Sequence, residues 1–222
     1  MAKLAIICEG KTERNFVEQI LAPYFLNFGL NVDPVEIGIE NIQHGGNVSF
    51  VRIMKDCEIL LQDYEYVTTL MDFYRIGKDW RGINEIDDSM SSDEKARMVE
   101  QYALKDAKEM LGTVDVERRL IFNVLMHEFE GLLFSDPEAI VRVTRAGKAV
   151  GELKDIANAF LTPEDIDNGR NTAPSKRLAS CKANYGKVVH GARIAGEIGL
   201  ESIRNKCPHF NSWMVRLEGL CK

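Results

Sequence analysis

The stretch Leu4-Ala5-Ile6-Ile7-Cys8-Glu9-Gly10-Lys11-Thr12-Glu13 is an apolar run that stops at two carboxylates placed around a glycine. Such a run reads as a buried strand and Gly-Lys-Thr as a turn into a helix, so Glu9 falls at a strand's carboxyl end. In open α/β sheets that edge is where ligands bind. Thr12 reads as the N-cap of the helix, with Glu13 in its first turn, where a negative charge suits the dipole. Phe16, Val17, Ile20, Leu21 and Tyr24 recur at helical spacing, and Pro23 is expected to kink or end the helix.

Outward from this start, residues 30–39 read as a second strand, which Asp33-Pro34 assigns to a sheet edge. His44-Gly45-Gly46-Asn47 breaks the chain, and Phe50, Ile53, Met54, Cys57, Leu60 and Leu61 mark an amphipathic helix. The strand Tyr66-Val67-Thr68-Thr69-Leu70-Met71 ends at Asp72, and the polar residues 75–92 form a long connection. Ser91-Ser92-Asp93-Glu94 is a capping box opening a helix with Ala96, Val99, Ala103, Ala107 and Met110 on one face. Leu120-Ile121-Phe122-Asn123-Val124-Leu125-Met126 reads as one strand buried on both faces, ending at His127-Glu128.

Alternating strands and helices imply βαβ units, hence an α/β fold with a mostly parallel sheet and helices on both faces. From Phe129 onward only helical patterns and loops follow. Asp136-Pro137-Glu138 and Leu161-Thr162-Pro163-Glu164 read as helix openings, and residues 167–175 as a turn-rich loop leading to Lys176-Arg177. The expected organisation is an α/β core over residues 1–135 and a mainly helical C-terminal part over 136–222, packed on it.

The 222 residues, 45% of them hydrophobic, suffice for a sizeable core. No stretch approaches the roughly 18 apolar residues of a membrane span, and no signal peptide opens the chain, so a soluble cytoplasmic protein is expected. The five cysteines form no C-x-x-C pair and the four histidines no ligand spacing, which points to reduced thiols and to oxygen ligands for any metal. The net charge of −6 hides an asymmetry: residues 170–222 carry +7 and the remainder −13. An acidic part beside a basic one suits a metal-dependent enzyme acting on a polyanion; it suits plain solvated surface as well.

Glu9, Asp72 and Glu128 each follow an inferred strand, and parallel strands place all three on one edge. Clustered carboxylates are unfavourable unless a cation neutralises them or some keep protons, and hard oxygen donors suit Mg²⁺ or Mn²⁺. Glu13, one helical turn past Glu9, and Glu130 extend the set, enough for two ions about 3.5–4 Å apart. Each acid also has a structural reading: Glu13, Glu128 and Glu130 as first-turn acids, Asp72 as a turn cap. Gly10-Lys11-Thr12 is not a P-loop, because the earlier glycine of that motif is Ala5 here. His127 is either an acid or base or a satisfied strand-end histidine. Lys176 and Arg177 either contact phosphate and stabilise developing charge or simply start a helix.

The strand-end Glu-Gly and the later strand-end Asp resemble the Toprim fold of topoisomerases, primases and overcoming-lysogenization-defect nucleases. More closely, E-G-K-T-E at 9–13, M-D-F-Y at 71–74, H-E-F-E-G-L-L-F-S-D at 127–136, P-S-K-R-L at 174–178 and C-P-H-F at 207–210 resemble the bacterial family catalogued as domain of unknown function 4276. The resemblance implies a Toprim-like sheet, Mg²⁺- or Mn²⁺-dependent phosphodiester chemistry on DNA or RNA, and a phage-defence or mobile-element setting, often beside an ATPase partner. Carried over by position, Glu9 matches the Toprim glutamate, Asp72 the first aspartate of D-x-D, and Glu13 the second acid of the nuclease branch. Glu128 or Glu130 corresponds to the further carboxylates and Lys176 to the downstream lysine. The expected catalytic residues are thus Glu9, Glu13, Asp72 and Lys176, with Lys11, Arg170 and Arg177 binding substrate. Tyr74 stands where D-x-D has its second aspartate, which keeps open a non-catalytic partner or regulatory subunit of an ATPase. Phosphoryl or nucleotidyl transfer on a small nucleotide is a third possibility.

Overall fold

The computed structural model describes residues 1–38, 47–87, 89–112, 115–167, 169 and 171–221. The expected break at His44-Gly45-Gly46 lies outside them, as do Ile39, Asn168 and Arg170.

Strand β1 (Ala2–Cys8) runs into helix α1 (Lys11–Phe16), a π-helical turn (Val17–Leu21) and α2 (Ala22–Leu26). Strand β2 (Leu30–Glu36) is followed by α3 (Phe50–Asp63), β3 (Tyr66–Asp72), α4 (Ser92–Leu111) and α5 (Val116–Arg119). The short β4 (Leu120–Ile121) and β5 (Val124–Leu125) complete the sheet. Helices α6 (Glu130–Leu133), α7 (Pro137–Thr144), α8 (Val150–Asn158), α9 (Pro174–Ser180), α10 (Lys187–Ile198), α11 (Leu200–Lys206) and α12 (Pro208–Glu218) make up the rest. All strand pairs are parallel, in the order β2-β1-β3-β4, with β5 also on β3. The Asp33-Pro34 strand lies at the edge, where a missing N–H costs no ladder bond. This is the expected Toprim-like α/β architecture with a mainly helical C-terminal region.

Alternation along β1 divides the core. Leu4, Ile6 and Cys8 face an apolar cluster shared with Phe16, Leu21, Phe129 and helices α7 to α12, while Ala5 and Ile7 face a second cluster with α3 and α4. The Ser91 capping box is present: Ser91 Oγ accepts from the Glu94 N–H and Glu94 accepts from the Ser91 N–H. Four cysteines are buried free thiols and the fifth, Cys221, is a half-buried one. No helix among the described residues is long and apolar enough to cross a membrane.

Local expectations differ at four points. The N-cap of α1 is Gly10, not Thr12; extended backbone at Gly10 lets its carbonyl accept from Arg14 N–H at 3.0 Å, so the helix starts two residues earlier. Pro23 does not end the helical run, since the π turn before it leads into a segment that has the proline in its first turn. Residues 120–126 form two short strands, because Thr69 Oγ1 accepts from Asn123 N–H and donates to Asn123 O, both at 2.9 Å, displacing the ladder there. Residues Pro163–Asp165 form only a 3₁₀ turn, closed by Asp165 on the Thr162 N–H and hydroxyl.

Candidate functional site

The parallel register brings the carboxyl ends of three strands together. Cys8 pairs with Leu70, Met71 with Val124 and Asp72 with Leu125, so Glu9 after β1, Asp72 at the end of β3 and Glu128 after β5 share one edge. Glu13 enters from the first turn of α1 and Glu130 from the start of α6. Glu13, Asp72, Glu128 and Glu130 are all at least nine-tenths buried.

Each carboxylate is held by a different element. Glu13 Oε2 accepts the Gly10 N–H at 3.1 Å, and Asp72 Oδ1 accepts the Phe129 N–H at 2.8 Å. Glu128 Oε2 accepts the Ser175 N–H at 2.9 Å, which ties P-S-K-R-L to the edge through its backbone. Glu130 accepts from Tyr185 Oη at 3.1 Å and from Lys187 Nζ at 3.1 Å; Lys187 also lies 3.9 Å from Glu128. Glu9 Oε1 pairs with Arg75 Nε at 3.0 Å, whereas its Oε2 is buried without a hydrogen-bond partner.

The acids sense one another. Burial, with the nearby charges of Glu9 and Glu130, pushes Glu13 up to about 7. Burial and the charges of Glu13, Glu9 and Glu130 hold Asp72 well above the usual carboxylate range. Burial also raises Glu9 and Glu130, against the opposing pull of Arg75 and Lys187 respectively. Burial works to lower Lys187, but Glu130, Glu128 and Asp72 outweigh it and hold the ammonium above its ordinary value. Like charges gathered in a dry volume retain protons or recruit cations, and both effects operate here.

Hard oxygen donors and the orphaned Glu9 Oε2 fit a divalent cation in chemistry and in charge. As the side chains stand, no three His, Cys, Asp or Glu residues among those described converge to hold one, and Arg75 and Lys187 already supply positive charge.

Of the other expected residues, Lys176 and Lys11 are exposed and make no side-chain bond to the acids among the described residues. Arg177 is occupied structurally: it donates to Thr172 O at 2.6 Å and lies over the Phe160 ring. Arg170 falls outside the described residues. Tyr74 is half exposed, with its N–H donating to His127 O at 3.1 Å. His127 is buried at φ 30°, a strained backbone for a non-glycine, and its Nδ1 has no hydrogen-bond partner; burial lowers the pKa of the imidazole.

Lys187, Tyr185 and Arg75 were not legible as site residues. Arg75 directly follows M-D-F-Y, the one signal available. Lys187 is one of ten basic residues in its segment, and only the seating of α10 singles it out. At Gly191 a Cβ would meet Thr12 Cγ2 at 2.9 Å and Phe129 at 3.1 Å, so the glycine lets α10 approach α1 and brings Lys187 to the acids.

Two chains titled as the C-terminal region of the Xanthomonas campestris pv. campestris OLD protein are similar to this one. The first is 17% identical over 97% of both chains, with a TM-score of 0.39; the second is 18% identical over 96% of this chain and 94% of the other, also at 0.39. No curated protein matches the sequence significantly. The model of the family described as domain of unknown function (DUF4276) matches residues 8–218, nearly the whole chain, and the protein belongs to that family.

Proposed function

We propose that this protein is a divalent-metal-dependent nuclease that hydrolyses phosphodiester bonds in DNA or RNA. The observation that carries this reading is the placing of Glu9, Asp72 and Glu128 at the carboxyl ends of three parallel strands, with Glu13 and Glu130 buried at the same edge and Glu9 Oε2 unpartnered. Glu9, Glu13 and Asp72, backed by Glu128 and Glu130, would hold Mg²⁺ or Mn²⁺, which when bound supplies Lewis-acid polarisation of the phosphodiester. Lys187, paired with Glu130, and Lys176, in the exposed first turn of α9, would stabilise negative charge developing on phosphorus oxygens. The acidic part, residues 1–135, would supply most of the metal-holding carboxylates, and the basic part, 136–222, with Lys11, would hold the polyanion. A phage-defence or mobile-element setting beside an ATPase is proposed from the family resemblance alone.

The test is cleavage of plasmid and oligonucleotides with Mn²⁺ or Mg²⁺. Activity is expected to vanish in Glu9→Gln, and binding to fall steeply with salt. Cleavage that survives Glu9→Gln, or a flat salt dependence, counts decisively against the reading.

A second reading, a non-catalytic partner of an ATPase, draws on Arg75 and Lys187, which already compensate two of the acids, and on Tyr74. Calorimetry with Mn²⁺ separates the two, since a scaffold needs no metal heat.

A further inference from the structure

The C-P-H-F segment opens α12, and His209 is 4% exposed there. Its Nδ1 lies 2.9 Å from Asp93 Oδ1 and its Nε2 2.8 Å from Glu100 Oε1, both on α4. A neutral imidazole carries one N–H and would turn a lone pair toward one of these carboxylates, whereas an imidazolium donates to both. The same helix start is capped by Glu164, whose two oxygens accept the His209 and Phe210 N–H groups at 2.9 and 2.8 Å. The other charges around the ring are Arg97, paired with Asp93 at 2.7 Å, and Arg216, which lines a small cavity with Arg97 and Glu100. Burial alone would lower the imidazole, but the bonds to Glu100 and Asp93 overcome it and push its pKa up to about 9.

Glu100 reaches further. The oxygen that meets His209 also accepts the Val124 N–H at 3.0 Å, and Val124 opens β5, which is in register with Met71 and Asp72. The chain leaving β5 delivers Glu128, Glu130 and the Phe129 N–H bonded to Asp72. One turn along α12, Trp213 Nε1 donates to Thr68 Oγ1 of β3 at 2.9 Å and seats the helix on the same sheet.

We propose that His209, as an imidazolium gripped between Asp93 and Glu100, is a positioning residue: it fixes Glu100 on the Val124 amide and so holds β5 and the H-E-F-E carboxylates in register with Asp72. Its functional weight rests on the acidic edge being the active site; its geometry does not. Loss of the proton leaves either Asp93 or Glu100 facing a lone pair, which breaks the two-sided grip and loosens the hold of Glu100 on Val124.

The test is nitrogen-resolved NMR of the His209 ring, with amide exchange protection followed in the full chain from pH 7 to 9.5. Expected are a doubly protonated ring at pH 7.5 and protection factors at Val124 and Phe129 that fall together, at least tenfold, as the ring loses its proton, while Ile6 in the central strand stays protected. In His209→Gln the two amides are expected to be weakly protected at every pH. A ring singly protonated at pH 7.5, constant protection at Val124, or equal loss at Ile6 overturns the proposal. Should the variant not fold, the wild-type titration alone decides. Because exchange reads no cleavage, failure of the nuclease reading leaves this result standing, and the reverse also holds.

Discussion

Lys187 Nζ stands 3.1 Å from Glu130 Oε2, joining the first residue of α10 to the first residue of α6 inside the acidic edge. The carboxylate is 1% exposed and the lysine side chain about half exposed, so the pair is an asymmetric one. Replacing Lys187 with Ala strands a buried charge. The expected loss is about 1–3 kcal/mol in urea unfolding at pH 8, below the fully buried case because solvent reaches the ammonium. Glu130→Gln in the same background should recover most of that loss, and a double-mutant cycle measures the coupling.

The metal-free protein should lose stability as pH rises from 5 to 8. Glu13 titrates near 7 in the folded chain against an ordinary 4.5, so the folded state binds the proton more tightly. Its stabilising contribution is complete below about 4.5 and gone above about 7, a change on the order of 3 kcal/mol. Asp72 and Glu130, raised in the same direction, steepen the slope. Urea midpoints across this range check the sign, and Glu13→Gln should flatten the slope and be more stable than wild type at pH 8.

Gly191→Ala is expected to destabilise by about 1–3 kcal/mol, because the added methyl meets Thr12 of α1 and the side chains of Phe129 and Tyr185 within 3.3 Å. Gly151→Ala in α8 meets nothing within 4 Å and should stabilise by about 0.5–1 kcal/mol. Thermal unfolding of the two variants reads opposite shifts. In Gly191→Ala the displacement of α10 should also weaken the Lys187–Glu130 coupling.

Tyr74→Asp returns an acid to the position where D-x-D has its second aspartate. The side chain is half exposed and the Tyr74 N–H bond to His127 O does not depend on it, so stability should change by less than about 0.5 kcal/mol. Calorimetry should then show tighter Mn²⁺ binding than in wild type. Unchanged affinity would place the missing acid outside any metal site.

The sequence by itself determined the sheet and its acidic edge. Apolar runs ending in Glu9, Asp72 and Glu128 carry their own evidence, because a parallel strand buried on both faces must be apolar throughout and its polar terminus must lie at the edge. It did not determine where the run at 120–126 breaks, since that depends on Thr69 from another strand bonding both polar groups of Asn123. Nor did it separate Lys187 from Lys176, both of which are basic residues near helix starts. Which ammonium reaches the acids was decided by α10 settling on α1 at Gly191, and which histidine sits between two carboxylates was decided by α12 docking on α4. Local pattern records which groups a segment must bury or cap; which charges then meet is fixed only when distant helices pack and desolvate them together.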